Sequence, residues 1–318
     1  MITAYVRANG TLSPVTVGLN ETLPEESVWI DLLGPSREEE KLLELALGIA
    51  LPTREEMREI EISSRLYQEN GALFMTATLM TQADTISPET DPVTFILVGP
   101  RLLTIRYANP SPFQLFASQV QRHQDPGLSG DTVLAGLLDA IVDRLADVLE
   151  KVQHDMGQVS RTIFARQKTD FEEVLRSIGL AEGLTSRARE SLVSIQRLLS
   201  FLSRPSEGKP NKLFARSLKT LSRDVLALSD HSSFLANNIT FMLNTTLGMV
   251  NIEQTDIIKI FSVASVVFLP PTLIASIYGM NYKIMPELAW SFGYPMSIVL
   301  MIVSSVLPYL YFKRRGWL

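Results

Sequence analysis

Oxygen-bearing side chains recur at helical spacing in an apolar segment late in the sequence. Ser265, Thr272 and Ser276 follow one another at intervals of seven and four residues, so in a helix they share one face. The same stripe contains one more hydroxyl and three large apolar side chains: Thr255, Ile258, Phe261 and Leu269. Hydroxyls interrupted by apolar rings would make a wettable path with constrictions that close by dewetting. The alternative is that these hydroxyls bond back to their own helix or serve helix packing.

A row of carboxylates lies on an earlier helical segment. Asp139, Asp143 and Asp147 are four residues apart, which places them on one face with Glu150 close by. Like charges at this spacing repel by about a few tenths of a kcal/mol per pair. A bound cation would relieve that repulsion, and Mg2+ prefers carboxylate oxygens with some retained waters. The alternative is an ordinary solvated face.

Two apolar segments are long enough to cross a membrane. No charged residue falls between Lys259 and Lys283, or between Glu287 and Lys313, and about 20 apolar residues span a hydrocarbon core of about 30 Å. One hairpin of two helices cannot enclose a water-filled path, so a pore requires several copies around an axis. We expect the first span to line the pore and the second to face lipid.

The basic residues near the membrane ends predict the orientation. Lys313, Arg314 and Arg315 follow the second span and Lys259 begins the first, whereas the connecting loop carries only Lys283. Because Lys and Arg concentrate on the cytoplasmic side, we expect both ends of the chain in the cytoplasm.

The residues before the spans predict an α/β domain followed by long helices. Short strand patterns alternate with helix caps in the first part, where Asn70-Gly71 marks a hairpin. Apolar residues then recur at helical spacing from Asp131 onwards, and neither proline nor obvious breaker interrupts the pattern from Asn211 to Pro270. The expected order is an α/β cytoplasmic domain (1–125), long antiparallel helices (126–210), a stalk helix (211–256), a pore-lining first span (257–278), an external loop (279–291), a second span (292–312) and a basic cytoplasmic tail (313–318).

The loop between the spans begins with a short motif in which Tyr278 is followed by Gly279-Met280-Asn281. This motif resembles the signature of the CorA family of divalent-cation channels. The resemblance continues through several further stretches, namely Pro270 to Ala275, Met285 to Leu288, Trp290 to Pro295 and Tyr311 to Arg314. A lone Gly-Met-Asn tripeptide would be weak, but between two spans, with this loop, it is highly specific.

The resemblance implies a funnel-shaped homopentamer with an α/β cytoplasmic domain, long stalk helices and a two-helix transmembrane hairpin in a bacterial inner membrane. It implies uptake of Mg2+, often with Co2+ and Ni2+, and it assigns Gly279, Met280 and Asn281 to the outer mouth of the pore. Methionine at position 280 favours the magnesium branch over zinc-transporting relatives, which usually carry isoleucine there. A ring of Asn281 carboxamides can hold a hydrated ion without stripping its water.

The same resemblance suggests two roles for acidic residues. Glu287 from each copy could concentrate cations outside the mouth, although Lys283 partly cancels its field. The family has acidic regulatory sites in its cytosolic domain, so Asp139, Asp143 and Asp147 become candidates for a low-affinity Mg2+ sensor between subunits. Mg2+ would then be both the transported ion and a regulatory ligand.

Composition and motifs exclude other classes. The sequence has no cysteine, which removes disulfides and thiolate metal sites, and a net charge of -5 gives no reason to expect nucleic acid. We recognise no nucleophile–base pair, phosphate loop or glycine-rich fingerprint, so we do not expect an enzyme. The expected partners are further copies of the chain, the lipid bilayer and divalent cations. Two alternatives stay open: a proton-coupled Zn2+ carrier of the same fold, and a non-conducting membrane scaffold or sensor.

Overall fold

A computed structural model describes residues 1–8, 10–122, 127–165, 169–203, 212–281, 283, 285–286 and 290–317. The chain divides into two compact units, Met1–Leu243 and Asn244–Leu318. One helix contributes its first part to one unit and its last part to the other.

The first unit contains a mixed sheet. Its described strands are β1 (Ile2–Ala8), β2 (Thr11–Val17), β3 (Ser27–Leu33), β4 (Leu66–Glu69), β5 (Ala72–Thr81), β6 (Glu89–Val98) and β7 (Arg101–Arg106). They lie in the order β2-β1-β3-β7-β6-β5-β4, and β3 and β7 run parallel. The central strand β3 is buried along nearly its whole length, as its run of Val, Trp, Ile and Leu predicts for a strand covered on both faces. The expectation of an α/β domain is confirmed.

A buried polar network joins the two parallel strands. Arg106 of β7 donates to both carboxylate oxygens of Asp31 of β3, with the shortest distance 2.7 Å. Thr104 also donates to Asp31 at 2.7 Å and accepts from the Trp29 indole at 3.0 Å. Because every charge in the pair is hydrogen-bonded, the burial of Asp31 is compensated, and removing Arg106 alone would leave an uncompensated charge in the core.

Helices cover the sheet and extend beyond it. In the first unit they are α1 (Arg37–Leu47), α2 (Arg54–Met57), α3 (Ile62–Arg65), α4 (Ser111–Arg122), α5 (Gly130–Ile163) and α6 (Phe171–Leu202). Two capping boxes predicted by their spacing are present, Ser36 with Glu39 and Thr53 with Glu56. Helix α5 packs against α6, and α6 packs on β5.

The longest helix, α7 (Lys212–Tyr278), continues without interruption through Pro270 and Pro271. Within the first unit its buried apolar side chains lie on one face, at intervals of three or four residues apart from a gap of ten between Val225 and Leu235: Phe214, Leu218, Leu221, Val225, Leu235, Ile239 and Met242. This spacing is that of a helix packed along one stripe.

The second unit contains the end of α7 and helix α8 (Gly293–Arg314). These are the two described helices long and apolar enough to cross a membrane. Most of their large apolar side chains are exposed, whereas Val263 and Ser297 are buried. Lys313 and Arg314, which the sequence placed in a separate tail, instead complete the last turn of α8.

Candidate functional site

The Gly-Met-Asn tripeptide forms the turn that ends α7. The amide of Gly279 donates to the carbonyl of Ala275 at 2.9 Å, and the amide of Met280 donates to Ile277 at 3.3 Å. A Cβ atom on Gly279 would stand 3.1 Å from the Ala275 oxygen and 3.7 Å from that of Ser276. The turn therefore closes tightly over the last carbonyls of the helix, and a glycine fits it best.

The two residues after this glycine have exposed side chains. Met280 is 46% exposed and Asn281 is exposed. Within the described residues, the Asn281 carboxamide has no hydrogen-bond partner. A carboxamide offers an acceptor oxygen and a donor amide group, and both kinds of group can bond to the water shell of a cation.

The predicted pore-lining residues share one face of the observed helix. At 3.6 residues per turn they fall within an arc of about 120° around α7. The set comprises Thr255, Ile258, Phe261, Ser265, Leu269, Thr272 and Ser276, all of them exposed. Since both spans of a single chain are exposed on nearly all sides, exposure alone does not separate a pore-facing arc from a lipid-facing one.

The hydroxyls on this arc bond back to their own helix. Ser265, Thr272 and Ser276 donate to the carbonyls of Phe261, Phe268 and Thr272, at 2.8 to 2.9 Å. Thr255 does the same with Asn251 at 2.7 Å. The back-bonding foreseen as the alternative is therefore present in the chain. It uses the hydroxyl hydrogen and leaves the oxygen lone pairs free to accept, so the arc keeps an acceptor surface.

Large apolar side chains interrupt this acceptor surface. Phe261 and Leu269 are 70% and 71% exposed, and Ile258 is also exposed. Exposed apolar side chains of this size within a span need a cover of lipid or of other protein.

The loop after the turn is only partly described. Lys283 is exposed, and Glu287, predicted to attract cations, lies outside the described residues.

The acidic row on α5 lies near a further acidic residue that the sequence did not predict. Asp139, Asp143 and Asp147 are all exposed. The pKa of the Asp139 carboxyl is raised, first by partial removal from water and then by the charges of Asp143 and of Asp224 on α7. Asp224 lies far along the sequence on a different helix, so helical spacing could not place it beside this row.

Asp139 borders a groove between α5 and α7. The groove has a volume of about 390 Å3, and Gly136, Phe214, Arg216 and Thr220 are among the residues that line it. Within the described residues, no three His, Cys, Asp or Glu side chains lie close enough to hold a metal ion together.

Comparison with known proteins assigns the family. A family model described as "CorA-like Mg2+ transporter protein" matches residues 24–314. The chain belongs to the CorA family. CorA members are transporters with transmembrane helices. Two curated proteins, each called "Magnesium transport protein CorA", from Pasteurella multocida (strain Pm70) and Escherichia coli (strain K12), are 35% identical to it over 319 residues, covering all of both chains.

A solved structure of the same family has the same fold. The CorA magnesium transporter from Methanocaldococcus jannaschii superposes with a TM-score of 0.78 at 21% identity, covering 100% of this chain and 99% of that one. This likeness establishes the CorA arrangement of an α/β domain, a long helix and a second helix near the end of the chain.

Proposed function

We propose that this chain takes up Mg2+ passively, driven by the membrane potential, through a pore that several copies form around an axis. Co2+ and Ni2+ would pass by the same route. The proposed assembly is a funnel-shaped homopentamer in a bacterial inner membrane, with α7 and α8 as a hairpin and both ends of the chain in the cytoplasm.

One observation carries the proposal: the exposed Asn281 carboxamide, which has no hydrogen-bond partner among the described residues, follows a helix that has acceptor oxygens along one arc. Mg2+ gives up its water reluctantly and is usually bound with several waters retained. Carboxamide and hydroxyl oxygens accept hydrogen bonds from those waters without carrying a charge. A ring of carboxylates would hold a divalent cation more tightly and slow its release.

The names of the curated relatives indicate which ion is transported. Both curated relatives are magnesium transport proteins, and each matches the whole chain, membrane helices included. The motif residues Gly279, Met280 and Asn281 are the proposed pore mouth, with Glu287 as a proposed attractor of cations outside it.

The electrical driving force explains why such a pore must close. Moving one charge through 100 mV changes the free energy by about 2.3 kcal/mol, so a divalent cation gains about 4.6 kcal/mol. At about 1.4 kcal/mol per factor of ten, an open pore would accumulate Mg2+ more than a thousandfold. Rings of Phe261 and Leu269 are the proposed constrictions that close the path by dewetting.

The proposed sensor of internal Mg2+ is the acidic row Asp139, Asp143 and Asp147. The pKa of Asp139 is raised first by its partial removal from water and then by the charges of Asp143 and Asp224, and a bound cation would relieve the repulsion among these carboxylates. The proposed Mg2+ is bound by one or two of these carboxylates with several waters retained, and it bridges the row to a neighbouring subunit. Bridging would hold the assembly closed, and loss of Mg2+ would free the α7 helices to move.

Ion flux into sealed liposomes tests this function. The full-length protein is reconstituted, and uptake of Mg2+, Co2+, Ni2+ and Zn2+ is followed in parallel under an inside-negative potential, with and without a pH gradient. We expect Mg2+ uptake that follows the potential and ignores the pH gradient. Uptake of Zn2+ that requires the pH gradient would instead identify a proton-coupled carrier, and no flux above protein-free liposomes would identify a scaffold or sensor.

A further inference from the structure

The end of α8 is folded into a compact turn. Gly316 adopts a left-handed conformation with φ of 71°. Its amide donates to the Lys313 carbonyl at 3.2 Å, and the amide of Trp317 donates to the Phe312 carbonyl at 3.1 Å. This pair of bonds is a Schellman motif, in which a glycine just past the helix reverses the chain and satisfies the last carbonyls.

The turn brings aromatic and basic side chains together. The Trp317 ring stacks on Phe312 with centroids 5.3 Å apart, and Phe312 meets Tyr311 edge-on at 5.6 Å. The Arg315 guanidinium lies 5.6 Å from the centre of the Tyr311 ring. We call the residues Tyr311–Trp317 the aromatic–basic turn.

The positive charges of this turn are not compensated. Lys313, Arg314 and Arg315 are exposed, and within the described residues none of them forms an ion pair. Basic residues near a helix end often serve to offset its free carbonyls. Here the backbone amides of residues 315–317 already bond to the carbonyls of residues 311–313, so the side-chain cations remain available to an external anion.

The position of the turn identifies the anion. It ends a helix of membrane-spanning length and composition, so it lies where hydrocarbon gives way to headgroups. Tryptophan and tyrosine favour that depth, and basic residues beside a span attract anionic headgroups. We propose that the aromatic–basic turn binds anionic phospholipid of the surrounding bilayer, with Trp317 and Tyr311 at the level of the headgroups and the three cations on their phosphates. The proposal is independent of ion conduction.

Brominated lipids test it, because bromine quenches a tryptophan only on contact. The full-length protein is reconstituted in phosphatidylcholine vesicles containing phosphatidylglycerol, with either the anionic or the zwitterionic lipid brominated at the same mole fraction. The chain has three tryptophans, so the signal of Trp317 is the difference between wild type and Trp317→Phe. We expect the anionic lipid to be enriched at Trp317 by at least about fivefold. This is the factor that the attraction of a single basic residue to an anionic membrane surface would give.

Two further measurements distinguish lipid binding at this turn from a general attraction between the protein and anionic lipid. The triple substitution Lys313→Gln, Arg314→Gln and Arg315→Gln should remove the enrichment, whereas Lys259→Gln should not, because Lys259 is paired with Asp256 at 2.8 Å. In wild type, salt at about 1 M should weaken the enrichment of anionic lipid at Trp317, since charges are then screened beyond about 3 Å. Equal quenching by both lipids in wild type would overturn the proposal. The proposal would also be overturned if the enrichment survived the triple substitution, or if inorganic phosphate removed it at constant ionic strength.

Discussion

The amide of Gly279 bonds to the carbonyl oxygen of Ala275 at 2.9 Å, and a Cβ atom on Gly279 would meet that same oxygen at 3.1 Å. The backbone at the proposed pore mouth is thus held by the last turn of α7, and the position of Met280 and Asn281 depends on this contact.

Gly279→Ala should therefore impair transport without preventing folding. The added methyl group forces a small displacement of the turn, at a cost of about 1–3 kcal/mol, and moves Asn281 away from its position. We expect Mg2+ uptake into liposomes to fall about tenfold or more, since 1.4 kcal/mol corresponds to a factor of ten. Gly157→Ala on α5 is the matched control, because a Cβ atom there meets nothing within 4 Å. Equal uptake by both variants would show that the turn is not critical.

Leu269 is the proposed apolar constriction, and making it polar should favour the open path. In Leu269→Ser a hydroxyl replaces an isobutyl group on the arc, so water enters more easily. We expect residual Mg2+ flux at internal Mg2+ concentrations that silence wild type. Ile260→Ser is the control, because nine residues place Ile260 about 180° away on the same helix and its side chain is similarly exposed. Closure like that of wild type in the Leu269 variant would mean that this side chain is not a gate.

The raised pKa of Asp139 predicts a pH-dependent effect on stability. Its folded-state pKa lies above the usual 3.8, so the folded chain binds this proton more tightly than the unfolded chain. The resulting stabilisation is complete below that value and is lost as the pH rises through the folded-state pKa. Asp139→Asn should therefore stabilise the protein at neutral pH, by about a few tenths of a kcal/mol because exposed charges are screened.

Thermal unfolding of the full-length protein in detergent measures this effect. The gain of Asp139→Asn should vanish as the pH falls below 3.8, and saturating Mg2+ should reduce it at neutral pH. Asp147→Asn, two helical turns further along α5, is the comparison and should gain less. A stabilisation that persists unchanged at low pH would show that it does not come from the carboxylate charge.

Feedback by internal Mg2+ should depend on the whole acidic row. Replacing Asp139, Asp143 and Asp147 together by Asn should leave the protein conducting at internal Mg2+ concentrations that silence wild type, and should remove protection by Mg2+ from protease. Neutralising three exposed acids of α6 is the control: Glu172→Gln, Glu173→Gln and Glu182→Gln. Inhibition by internal Mg2+ that is unchanged in the α5 variant would place the sensor elsewhere and leave the row a solvated face.

Local patterns predicted much of the fold. Asn70 and Gly71 both have positive φ, at 47° and 77°, which is the geometry that Asn-Gly favours between β4 and β5. Apolar periodicity from Asp131 onwards indicated the helix α5, and the absence of proline from Asn211 to Pro270 indicated the long helix α7. The hairpin β1–β2 was not predicted strand by strand, because Pro14 interrupts the pattern of β2, which tolerates it as an edge strand.

These local patterns could not predict contacts between residues that lie far apart in the sequence. Asp31 and Arg106 meet only because β3 and β7 are parallel neighbours, and Asp139 and Asp224 interact only because α5 and α7 lie side by side. In the candidate site, the spacing of seven side chains predicts one arc of α7, and their role as pore lining stays a prediction. The surface that this arc faces depends on other copies and on lipid, so neither the sequence nor one chain determines it.

Mg2+ flux through Asn281→Ala is the most direct test of the proposed pore. The substitution removes the exposed carboxamide and leaves the Gly279 turn intact. Asn20→Ala, which truncates an exposed asparagine of the first unit, is the matched control. Both variants are reconstituted at equal density after their oligomeric state is checked. We expect Asn20→Ala to take up Mg2+ like wild type and Asn281→Ala to fall to the level of protein-free liposomes. Near-normal uptake by a correctly assembled Asn281→Ala would contradict the account.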